Sequence, residues 1–118
     1  PVTVDESRLP GYALYSFTSV ASGLTLQIER VVGLNPLERQ RWRLGQTAYG
    51  YHGLRPIGPA ATALPGTAFE LQGTGAAGTV VFTQSGETFW TVHVQAPTTD
   101  WAERRAEALA ALAGVRIP

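Results

Sequence analysis

Residues 88–95 read Thr-Phe-Trp-Thr-Val-His-Val-Gln, and this stretch decides the fold. Its β-branched and aromatic residues alternate with a period of two, the mark of a strand. Trp90, Val92 and Val94 fall on one side; Phe89, Thr91, His93 and Gln95 fall on the other. Immediately before it, Ser85-Gly86-Glu87 is a tight hairpin turn. The strand that turn joins is Thr79 to Gln84, with Val80 and Phe82 sharing a face. Further back, Gly73-Thr74-Gly75-Ala76-Ala77-Gly78 is a second hairpin connection, and Ala68 to Gln72 is a strand that places Phe69 and Leu71 together.

Outward in the other direction, the chain closes with a helix. Asp100 suits the N-cap, and Glu103 three residues later completes a capping box. Trp101, Arg105, Ala108, Leu109 and Leu112 form its inward stripe. Its many alanines raise helix propensity and allow close packing on a sheet. Gly114 ends it, and Val115-Arg116-Ile117 is a short extended tail.

The first half repeats these signals less strongly. Residues 1–9 form a lead-in strand or an N-terminal arm, and Tyr12 to Phe17 alternates weakly. Leu24, Leu26 and Ile28 alternate with polar neighbours, and Val31 and Val32 extend that strand. Asn35, Pro36 and Glu38 match cap, first-turn proline and capping-box positions, which predicts a helix from Asn35 to Leu44 stopped by Gly45. Residues 46–66 are rich in Gly and Pro; Tyr49 and Tyr51 alternate as a strand would, with Leu54 to Ile57 as a continuation. Pro56 confines that continuation to a sheet edge or a bulge. The expected architecture is α+β: an antiparallel sheet of about six strands packed by two helices, α/β/α sandwich-like, with residues 1–118 as a single domain.

Composition narrows the chemistry. The chain has 118 residues, 44% of them hydrophobic and 15% charged, enough apolar material for one core. Nine Arg balance nine acids, an equality that argues against a nucleic-acid partner. Cys, Met and Lys are absent, which removes disulfides, thiolate nucleophiles, Schiff-base lysines and the lysine of a phosphate-binding P-loop. No apolar run approaches the ~20 residues of a membrane span. No cofactor is expected.

The reactive constellations are sparse. His52 and His93 are the only histidines, at a spacing that matches no zinc signature. They read as a loop histidine and a strand-surface histidine, and no metal site is assigned. Gln84-Ser85-Gly86 lies in a hairpin turn, not at a nucleophile elbow. Glu29, Glu70 and Glu87 fall at outward or turn positions, so paired-carboxylate chemistry is not indicated. GTGAAG at 73–78 matches G-x-G-x-x-G formally, but a strand follows it where a dinucleotide site needs a helix. No catalytic residue is assigned. Arginines at 30, 39, 41, 43 and 55 cluster in sequence with Trp42, Tyr49 and Tyr51, a mix that binds anions, sugars or single strands. The candidate ligand or partner site is therefore Arg39, Trp42, Arg43, Tyr49, Tyr51, His52 and Arg55, on the first helix and the Gly/Pro-rich loop after it.

The segment from Pro65-Gly66-Thr67-Ala68 through the 79–97 hairpin, followed by Asp100 to Ile117, resembles the PsbP/Mog1-like family of α/β/α sandwiches. The resemblance covers roughly residues 10–117 as a pattern of elements, and no site motif carries over. It implies a non-enzymatic accessory protein that binds or assists a larger protein, placed outside the cytoplasm, in the periplasm or anchored at the surface. Cytoplasmic placement stays open. A second likeness is to a LolA/RseB-like curved sheet that binds lipid or a partner.

Three functional readings follow. The first is a non-catalytic accessory or binding domain that presents a surface to a protein or small ligand. The second is a small hydrolase or metal-assisted enzyme using His52 and His93, which requires the two imidazoles to converge. The third is an oligomer-forming structural domain, a homodimer paired through an exposed Tyr49/Tyr51 strand edge.

Overall fold

The computed structural model describes residues 2–5, 12–19, 23–32 and 54–116. They form one seven-stranded antiparallel sheet and one helix. The strands are β1 (Val2–Asp5), β2 (Tyr12–Thr18), β3 (Thr25–Val32), β4 (Arg55–Pro59), β5 (Thr67–Gln72), β6 (Ala76–Ser85) and β7 (Thr88–Pro97). The helix, α1, spans Thr98–Ala113. The α+β class and the antiparallel sheet agree with the expectation. There are seven strands where about six were expected, because part of the N-terminal arm, Val2–Asp5, pairs with β2. The expected Asn35–Leu44 helix lies outside the described residues.

Sheet order is β1-β2-β3-β7-β6-β5-β4. Two meanders, β1–β3 and β4–β7, are therefore joined by the ladder between β3 and β7. The stretch 88–95 belongs to the central strand, with three strands on either side. Gly86 and Glu87 form the two-residue loop before it, and Gly86 adopts φ 60°, a region open to glycine at little cost. The glycine-rich run is divided differently from the expectation: β6 already begins at Ala76, and the loop closes by Gly73 N–H donating to Ala76 C=O at 2.8 Å. Its strand character disposes of the dinucleotide-loop reading.

One face of the sheet is covered by α1, which packs over β6 and β7. Val81, Val92, Val94 and Ala96 meet Ala108 and Leu112 there, with Leu26 and Ile28 from β3 alongside. The stripe forecast for the helix holds at Ala108 and Leu112, which are fully buried, while Trp101 is half-buried. The opposite face is also buried at its centre, where Leu54, Leu71, Val80 and Phe82 cluster. Phe69 meets Phe82 edge to face, with centroids 6.2 Å apart.

The helix starts two residues before the expected cap. Pro97 occupies the cap position and no side chain bonds to the first turn. Gly75 C=O instead accepts from Thr98 N–H at 3.1 Å. Asp100 lies within the first turn, where its charge suits the positive end of the helix dipole. At the other end Gly114 stops the helix as expected.

Candidate functional site

The ladder registers set up a row of side chains across the face that carries α1. Ala13 pairs with Arg30, Arg30 with Trp90, and Trp90 with Thr83. Arg30 keeps the parity of Leu26 and Ile28, so the alternation that buries those two brings its guanidinium to the same side. Directly opposed residues on neighbouring strands hold their Cβ atoms about 4.5–5.5 Å apart. Both residues carry N–H donors on this face. Arg30 Nε and Trp90 Nε1 are both buried, and neither has a hydrogen-bond partner.

At its β6 end, Thr83, the row meets the stop of α1; Arg30 and Trp90 do not line the cavity there. Thr83 borders a cavity of about 360 Å³ that Leu64, Ser85, Ala113, Val115 and Arg116 also line. Arg116 reaches back to the helix end: its Nη1 donates to Ala113 C=O at 2.9 Å and to Val115 C=O at 3.3 Å. The first of these satisfies a carbonyl that the last turn leaves open.

The start of α1 is arranged differently. Glu70 on β5 accepts from Arg105 Nη2 at 2.6 Å and from Thr79 Oγ1 at 3.4 Å. The acid forecast as solvent-facing is thus a tether between helix and sheet, and only 19% of its side chain is exposed. A second cavity of about 250 Å³ lies beside it, walled by Ile57, Gln72 and Trp101.

The opposite face carries polar residues that were expected at the surface. His93 is 0% exposed and Glu29 only 7%. Both predictions assumed that one side of β7 and β3 faces water, whereas the centre of this sheet is buried on both sides. Glu29 pairs with the fully buried Thr91, and Gln27 with His93. Gln27 Nε2 reaches Ser16 Oγ at 3.4 Å. His93 is therefore a buried residue of the central strand and not a strand-surface histidine. Among the described residues no three His, Cys, Asp or Glu gather as a metal group.

Of the predicted binding residues, Arg55 opens β4 opposite Gln72 and is exposed. Arg39, Trp42, Arg43, Tyr49, Tyr51 and His52 lie outside the described residues. The structure brings together Arg30 and Trp90 instead. Arg30 belonged to the arginine and aromatic group in the sequence, and Trp90 was placed on the same side of its strand as Val92 and Val94. The available signal was a charged residue at the inward parity of an otherwise apolar alternation.

The fold and the row define an α+β protein with a helix-capped antiparallel sheet and a donor-rich end. No protein-family model matches the chain, and no curated protein matches it. Among the described residues no helix is long and apolar enough to cross a membrane.

Proposed function

We propose that this protein is a non-catalytic accessory or binding domain. It holds a small ligand, or a group presented by a protein partner, at the end of the sheet where α1 stops. The observation that carries this reading is the pair of buried donors, Arg30 Nε and Trp90 Nε1, without acceptors. Most buried donors in folded proteins are satisfied, and each one left unmatched costs roughly 1–3 kcal/mol. A ligand that supplies acceptors removes that cost on binding. The resemblance to the PsbP/Mog1-like family leans the same way, and with it go placement outside the cytoplasm and an α/β/α arrangement using Asn35–Leu44 as the second helix.

A fragment screen on ¹⁵N-labelled protein tests the reading. The expected result is that shift changes concentrate on the Trp90 indole and on residues 83–85 and 113–116. Changes confined to other regions overturn it. So does turnover on a hydrolase and phosphatase panel that His52→Ala or His93→Ala abolishes.

A further inference from the structure

We infer that the groove between β4 and the start of α1 is where two copies of this chain meet, about a two-fold axis, with Ile57 of each copy closing the other's cavity. This contact lies at the opposite end of α1 from the site proposed above and does not depend on it.

The groove has an apolar centre. Its cavity of about 250 Å³ has Ile57, Ala77, Trp101 and Ala102 in its walls. Glu70 brings no open charge to it, because Arg105 and Thr79 both donate to that carboxylate. Ile57 stands at the register shift of β4 and is 58% exposed, more than any other large hydrophobic among the described residues. A projection and a hole thus share one surface. A two-fold contact requires this, since each copy must offer the same patch to the other.

The rims of the groove carry opposite charges. On the sheet side, Arg55 stands directly across from Gln72, another wall of the cavity, and strand alternation puts both on the side that carries α1. On the helix side, Glu103 follows Ala102 round α1 by about 100°. Both charged residues are exposed, and neither is in an ion pair among the described residues. A two-fold axis through the groove lays the basic rim of each copy on the acidic rim of the other. The whole chain has a net charge of zero, so two copies approach without mutual repulsion. A strand added from another protein suits the place less well, because Pro56 and Pro59 supply no N–H to pair with it.

Sedimentation of the full chain between about 10 µM and about 1 mM tests the inference, a range set for a contact at the small end of interface sizes. The expected result is a monomer–dimer equilibrium that weakens as salt rises. Ile57→Ser, Arg55→Glu and Glu103→Arg should each weaken it by at least about tenfold. An equimolar mixture of Arg55→Glu with Glu103→Arg should restore dimers, because both two-fold contacts then join opposite charges again. Monomer at every concentration, dimers that survive Ile57→Ser, or a mixture that associates no better than its components overturns the inference. So does a mass that keeps rising past the dimer, the mark of an open head-to-tail chain. Should a charge variant fail to fold, Ile57→Ser decides alone.

Discussion

Gly78 shows how one residue can hold a sheet together. A Cβ built there overlaps the backbone carbonyl of Val94 on the facing strand. The backbone itself cannot yield, so Gly78→Ala should cost about 1–3 kcal/mol, the range of overpacked cores. Gly58→Ala serves as the control, because nothing lies within 4 Å of its added methyl. Urea unfolding of both variants measures this; equal midpoints would mean that β6 moves away from β7 without loss. Local sequence reading placed Gly78 in a turn, because it closes a run of three glycines. Only the pairing of β6 with β7 reveals that the constraint is a close approach between strands. Arg30 follows the same logic. Its inward parity was present in the chain, but the indole beside it comes from a different meander.

Between elements, the contact that ties α1 to the sheet edge is Glu70 with Arg105 at 2.6 Å. Arg105 is 47% exposed, so solvent screens much of the attraction. A double-mutant cycle with Glu70→Gln and Arg105→Ala should return a coupling of only about 0.2–1 kcal/mol, falling as salt rises. A coupling well above that range, insensitive to salt, would show that the pair is effectively dry. Helix docking rests instead on Ala108 and Leu112, both fully buried against Val81 and Val92. The helix stripe and its glycine stop were legible in the sequence, because the 3.6-residue period and the stop residue are local signals. Its first turn was not. Thr98 N–H finds its acceptor in the β5–β6 loop, at Gly75, a partner that no local motif announces.

For the whole molecule, the outermost strands of the sheet among the described residues are β1 and β4. Edge strands invite pairing with other chains unless something blocks them. β4 contains Pro56 and Pro59, neither with an N–H to donate, and its register shifts between Pro56 and Gly58. Ile57, 58% exposed, stands at that irregularity. The edge is thus apolar yet poor in donors. Replacing both prolines, Pro56→Val with Pro59→Val, should raise the average mass seen by light scattering as concentration increases, relative to the unaltered chain. Identical masses at every concentration would show that the prolines do not guard the edge. Pro56 at an edge and a bulge was legible beforehand, since proline tolerates few other places in a sheet.

The sequence by itself determined the strand periods of β3, β6 and β7, the Gly86 turn, the stop at Gly114, and the absence of Cys and Lys chemistry. These depend on neighbours one to four residues apart, where backbone geometry and side-chain alternation operate. Tertiary structure decided that β7 is central, that β3 is its partner, and that His93 and Glu29 are buried. It also placed Arg30, whose buried Nε has no hydrogen-bond partner, opposite an indole. Those outcomes depend on which distant strands pair and on what covers each face. The association of whole elements sets both, and a local period is identical whichever partner is chosen.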